Sequence, residues 1–176
     1  GITALGVDEV SYSLGHKYMT LVYQIDSGRK RLLGVIKDRK TDSLASFFED
    51  FGAERCAQIK VVCSDMWKPY LNVIARMLPA ALNVLDRFHI AKKLNEAVDE
   101  VRRTESKQLK QGGFDPVLNN SRYCFLKRPA NLTAGQDTKL KDLLQYDLKS
   151  VRAYLLKESF DAFWQYESPD WARWFL

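Results

Sequence analysis

Three short runs of β-branched and aliphatic residues in this chain each end on an acid. Residues 2–10 read I-T-A-L-G-V-D-E-V and bring Asp8 and Glu9 to their end, residues 59–65 read I-K-V-V-C-S-D and end on Asp65, and residues 82–86 read L-N-V-L-D and end on Asp86. A carboxylate carried to the end of a core-bound strand is costly unless something positive meets it, and a divalent cation is such a partner. The pattern predicts strands lying side by side that deliver at least Asp8 and Asp65 to one metal site.

The stretches between these runs suggest how the strands are joined. Polar residues and Gly15 mark a turn over 11–17, residues 18–25 (Y-M-T-L-V-Y-Q-I) read as a second strand, Asp26-Ser27-Gly28 is a hairpin signal, and residues 31–36 (R-L-L-G-V-I) return as a third. Thr41 or Asp42 then caps a helix with Leu44, Ala45, Phe47, Phe48 and Phe51 at helical spacing, stopped by Gly52. The fourth strand, 59–63, leads through Asp65 into a helix opened by Pro69 and closed before Pro79, and 82–85 is the fifth. A three-strand meander followed by alternating helix and strand predicts an α/β, ribonuclease-H-like mixed five-stranded sheet. In that order the first and fourth strands are central neighbours.

From Phe88 onward the pattern is helical. Phe88, Ala91, Leu94, Val98 and Val101 share a face until Gly112-Gly113, a short basic and aromatic piece spans 122–128, and 133–157 reads as one long helix or two broken near 145–149. The expected division is 1–87 as the first part of a catalytic core and 88–176 as an all-helical insertion region. Charge follows it: residues 1–86 hold 11 Lys/Arg against 10 Asp/Glu, whereas 87–176 hold 16 against 12. A basic half beside an acid-bearing half suits a polyanion held next to a metal site, with a merely solvated basic face as the alternative. Three widely spaced cysteines without a C-x-x-C pair support neither a disulfide framework nor a zinc cluster and fit a reducing cytoplasm. No apolar run nears the roughly 18 residues that span a bilayer.

Asp8 and Asp65 are the expected catalytic and metal-binding pair, because two-metal nucleotidyl transfer needs hard oxygen ligands on rigid elements. An isolated V-D or S-D is more often a turn aspartate; the pairing on neighbouring strand ends favours the metal reading. Glu9 alternates to the other face of its strand and is expected to be structural. Asp86 adds to the site, pairs with Arg87 or caps the following helix, and His89 touches a phosphate or positions a side chain as an accessory group. Trp67 and Tyr70 stack a base or, more ordinarily, pack in the core. Lys92, Lys93, Arg102, Arg103, Arg122, Lys127 and Arg128 are candidate DNA contacts. No G-x-x-x-x-G-K-[ST], G-x-S-x-G or H-E-x-x-H motif is present.

The series G-V-D-E-V-S-Y (6–12), G-H-K-Y (15–18), S-D-M-W (64–67), D-R-F-H (86–89), N-E-A-V-D-E-V-R-R (95–103), R-Y-C-F-L-K-R-P-A-N-L-T (122–133) and R-A-Y-L-L-K-E (152–158) resembles the DDE transposases of bacterial insertion sequences, specifically the ISL-three family. That resemblance implies metal-dependent cleavage and strand transfer of double-stranded DNA at element ends and target, with two Mg²⁺ or Mn²⁺ ions, by a homo-oligomer on DNA in the bacterial cytoplasm at the nucleoid. Asp8 matches the first catalytic acid and Asp65 the second. The third, a glutamate after a helical insertion, is expected beyond Leu176, since nothing around Glu158 or Glu167 resembles the family's last motif. The fragment is then expected to be inactive, with zinc-binding and helix-turn-helix segments ahead of Gly1. A nuclease or resolvase of the same fold, or a domesticated transposase kept as a DNA-binding or assembly module, are the rival readings.

Overall fold

The computed structural model describes residues 1–13 and 17–175. By internal contacts the chain forms two compact units, Gly1–Ile90 and Ala91–Leu176. In the first, β1 (Ala4–Ser13), β2 (Lys17–Gln24) and β3 (Arg31–Ile36) form the meander, followed by α1 (Thr41–Phe51), α2 (Ala53–Gln58), β4 (Val61–Ser64), α3 (Lys68–Met77) and β5 (Leu82–Leu85). The sheet order is β3-β2-β1-β4-β5. β1 and β2, and β2 and β3, are antiparallel, while β4 runs parallel to β1 and β5 parallel to β4. This is the ribonuclease-H-like order, with β1 and β4 adjacent at the centre.

One sheet face is packed. Leu5, Val7, Val22 and Val62 are buried with Leu44, Ala45 and Phe48 of α1 and Tyr70, Val73 and Ile74 of α3. Gly52, at φ 93°, ends α1 and starts α2, a backbone conformation that a side chain would strain. Lys40 precedes α1 without a side-chain cap, so Thr41 and Asp42 lie inside the helix rather than capping it. The opposite face carries Gly6, Asp8, Tyr23, Cys63 and Val84, by strand alternation and register. A Cβ on Gly6 would sit 2.4 Å from the Tyr23 ring, so glycine is what lets that ring cross the sheet. This face stays apolar and open, with Leu82 66% and Val84 42% exposed and Leu32 and Val35 exposed beside them.

In the second unit, α4 (Arg87–Gln111), whose first turn belongs to the first unit, is followed by α5 (Arg122–Leu126), α6 (Ala134–Leu143), α7 (Lys149–Phe160) and α8 (Pro169–Phe175), with single 3-10 turns at Pro129–Asn131 and Asp161–Gln165. Its core joins Val98, Leu118, Cys124, Phe125, Leu140, Leu143, Val151 and Tyr154. α6 opens on a full capping box between Thr133 and Gln136.

The sequence boundaries moved in three places. β1 extends through Ser13, because the hairpin register with β2 continues past Val10 across an irregularity near Ser11. α2 occupies a stretch with no apolar periodicity, and β4 starts at Val61, since Lys60 and Val61 donate their N–H groups to the Thr3 carbonyl and that register sets its entry. The 133–157 region is two helices, α6 and α7. The glycine turn expected around Gly15 lies outside the described residues.

Candidate active site

The two parallel pairings fix one row. Val7 pairs with Ser64 and Ser64 with Leu85, so the next residues, Asp8, Asp65 and Asp86, fall in one row where the parallel ladder ends, Asp8 inside β1 and Asp65 and Asp86 just past the carboxyl ends of β4 and β5. In open α/β sheets this is where ligands bind. The Asp86 N–H donates to the Ser64 carbonyl at 2.8 Å, which carries the ladder one step beyond β5.

Each aspartate is oriented by its own backbone. Asp8 Oδ1 accepts from the Glu9 N–H at 2.7 Å, Asp65 Oδ1 from the Trp67 N–H at 2.8 Å, and Asp86 Oδ1 from the Phe88 N–H at 2.8 Å. In each case one oxygen is held locally, and the second oxygen of Asp86 faces His89. For Asp86 the local bond belongs to the first turn of α4, the capping arrangement among the alternatives read from sequence.

His89 joins two of the three. Its Nε2 lies 3.7 Å from Asp8 Oδ1 and 3.8 Å from Asp86 Oδ2, so the accessory pair Asp86 and His89 is gathered around Asp8. Burial pushes the Tyr23 hydroxyl and the Cys63 thiol up, and the negative charges of Asp8 and Asp86 push both further. On the other side, Glu9 is raised by burial, against the lowering effect of Arg39, and raised further by Asp65 and Asp8. Asp8 thus shares Glu9 as a neighbour with Asp65, and Tyr23, Cys63 and His89 with Asp86. Among the described residues no group of three or more His, Cys, Asp or Glu side chains is arranged to hold a metal ion.

The surroundings are structural supports. Arg39 Nε donates to Glu9 Oε1 at 2.7 Å, and its guanidinium lies 4.2 Å from the Trp67 ring centroid. Trp67 meets Tyr70 edge-on at 4.6 Å, and the Tyr70 hydroxyl bonds Thr20 Oγ1 at 2.6 Å in the core. These two aromatic rings therefore pack the turn that carries Asp65, as the ordinary reading of their spacing holds. Arg39 was missed in the sequence; lying 30 residues from Glu9, it gives no local signal.

The basic candidates lie in the second unit. Lys93 pairs with Glu96 at 2.9 Å, Arg102 with Asp99 at 2.7 Å, and Lys127 donates to Gln136 Oε1 at 3.1 Å, while Lys92 and Arg128 are exposed. Arg103 and Arg122 also approach Asp99, each at 3.5 Å.

Comparison with known proteins gives the family. The profile of the DDE-type ISL-three group, described as transposase, matches residues 5–176. The transposase for insertion sequence element IS1001 of Bordetella parapertussis is 31% identical over 174 residues, covering 98% of this chain and 42% of that protein. The transposase for insertion sequence element IS1557 of Mycobacterium tuberculosis is 34% identical over 177 residues, covering 88% of this chain and 39% of that protein. The chain spans about two fifths of the length of these relatives. The catalytic core domain of BIV integrase aligns with 82% of this chain and 95% of its own at 12% identity and a TM-score of 0.34; the fold assignment stands on strand order instead. With all but its first four residues inside the family profile, the chain belongs to the ISL-three family of DDE transposases.

Proposed function

We propose that Asp8 and Asp65 are the first two catalytic acids of a DNA transposase that cleaves DNA and transfers strands at the ends of an insertion sequence. The observation that carries this is the register: Val7, Ser64 and Leu85 pair in one row, and the residue after each is an aspartate, where the parallel pairing of the three strands ends. The donor set fits a hard divalent cation, because it consists of carboxylate oxygens, each carboxylate oriented by a backbone N–H. Asp8 and Asp65 would hold Mg²⁺ or Mn²⁺, with Asp86 in reach. When bound, two such ions supply the charge that activates the attacking oxygen and stabilises the leaving one in an in-line displacement.

The chain's own residues set the geometry. The Glu9 and Trp67 N–H groups fix the orientation of the two carboxylates, and Arg39 ties Glu9 to the Trp67 turn. His89 Nε2, between Asp8 and Asp86, is placed to donate to a phosphate oxygen. The attacking groups are water and then a DNA 3′-hydroxyl, and no covalent protein intermediate is required.

A complete site needs a third acid. The bare apolar sheet face around Tyr23, Val35 and Val84, on which Asp8 projects, is where an element carrying that acid would pack, since the faces of sheets built from parallel strands are ordinarily covered. Duplex DNA is the proposed partner, with the protein acting as a homo-oligomer on it.

The test is a joining assay with the full-length protein, an oligonucleotide bearing an element end with a free 3′-hydroxyl, and a target duplex in Mg²⁺ or Mn²⁺. Joined product that disappears in Asp8→Asn and Asp65→Asn supports the proposal. Cleavage without joining indicates the nuclease reading. Joining that persists in both variants refutes the assignment of these acids.

A further inference from the structure

In the second unit one buried carboxylate organises three arginines. Asp99 Oδ1 accepts from Arg102 Nε at 2.8 Å and pairs with its Nη2 at 2.7 Å, while Asp99 Oδ2 faces Arg103 Nε and Arg122 Nε, each at 3.5 Å. Arg103 Nε also reaches the Asp99 carbonyl oxygen at 3.4 Å. Helical spacing of three and four puts Arg102 and Arg103 on the face of Asp99, and Arg122 arrives from the first residue of α5.

The three are not equivalent. The Arg102 side chain is only 14% exposed and neutralises Asp99, whereas those of Arg103 and Arg122 are 67% and 56% exposed. Ion pairs so long and so exposed add little to stability, so stability does not account for two surplus cations at one acid. Both turn Nε toward Asp99. Beside them the exposed Tyr123 ring has the Arg122 guanidinium 5.6 Å and Lys127 Nζ 5.8 Å from its centroid.

We propose that Arg103 and Arg122, oriented by Asp99, clamp one backbone phosphate of duplex DNA, with Tyr123 and Lys127 alongside. Two forked guanidiniums with surplus charge match phosphate oxygens in geometry as well as sign. Arg102 is withdrawn from DNA by its pairing, and Asp99 is a positioning residue. The inference rests on the DNA reading above and adds the subsite.

The test is fluorescence anisotropy with a labelled duplex of about 30 base pairs in two unrelated sequences, titrated across salt concentrations; each lost phosphate contact lowers the slope of log K against log salt by about 0.9. The clamp predicts that R103A/R122A lowers the slope by about 0.9 and weakens both duplexes equally. It also predicts that D99N, although it adds positive charge, binds more weakly, because the arginines lose their orientation. An unchanged slope in R103A/R122A, or tighter binding by a D99N protein with wild-type helical content, overturns the clamp. Should the unsubstituted protein bind neither duplex in a salt-dependent way, the DNA reading itself fails. The arginine pair is exposed, so R103A/R122A keeps the test decisive if D99N does not fold.

Discussion

Replacing Glu105 with alanine should unfold the helical unit at much lower denaturant. Leu148 precedes α7 and offers no side-chain cap, and the first turn of the helix holds no acid. Glu105 of α4, itself buried, does the capping from 45 residues away: Ser150 N–H and Lys149 N–H donate to its two oxygens at 2.8 Å each, and Ser150 Oγ donates at 2.5 Å. Hydrogen bonds to a charged acceptor contribute about 1.5–3 kcal/mol each, and those sharing one carboxylate add less than their sum. With buried donors left unpaired, Glu105→Ala should cost about 3–5 kcal/mol. Glu105→Gln keeps one oxygen acceptor and presents an NH₂ to a donor, so it should cost roughly half of that. Urea denaturation followed by tryptophan fluorescence reads it, in a W67F background where Trp164, Trp171 and Trp174 all report on the second unit. With an m-value of about 1 kcal/mol/M for a unit this small, the midpoint should fall by roughly 3–5 M. A fall below about 0.5 M would refute the argument that this carboxylate caps α7.

Other perturbations read single contacts. Gly6→Ala should destabilise the first unit by about 1–3 kcal/mol in thermal denaturation, since its Cβ meets the Tyr23 ring at 2.4 Å. Arg39→Ala removes the hydrogen bond and charge that lower Glu9, leaving burial, Asp65 and Asp8 to raise it, so carboxyl-carbon NMR should find Glu9 titrating higher than in the parent. Hydrogen bonds from the Thr3 and Gln24 side chains and from the Thr3 and Ala4 backbone hold Asp26 at about 2, below its ordinary 3.8. A depressed folded value means the contribution is complete above the unfolded pKa and is lost as pH falls through the folded one, so Asp26→Asn should flatten the pH dependence of the denaturation midpoint between those values. Thr133→Ala, which breaks the capping box of α6, should cost about 1 kcal/mol in the same urea experiment.

Much of the first unit was legible because its strands are short, apolar and punctuated. Asp26-Ser27-Gly28 between β2 and β3 marks a hairpin, and Pro69 and Pro79 bracket α3, so element type followed from local chemistry. Strand order followed from chain order, and with it the row of Asp8, Asp65 and Asp86. What stayed hidden is carried by contacts distant in sequence. Glu9 reads as structural from alternation alone, but its partner Arg39 is set by the fold, as is the Glu105 cap. The helix-capping bond of Asp86 shows only when the Phe88 N–H is seen on its Oδ1. Asp99 reads as one more charge on a basic helix until Arg122 arrives from another element.

The account stands most directly on whether Asp8 and Asp65 share an ion. A crystal soaked in Mn²⁺ and measured for anomalous scattering would decide it. The prediction is one peak at roughly 2 Å from a carboxylate oxygen of each residue, lost in Asp8→Asn. A peak that binds elsewhere, or carboxylates of Asp8 and Asp65 turned to different faces of the sheet, would contradict the assignment of the catalytic pair.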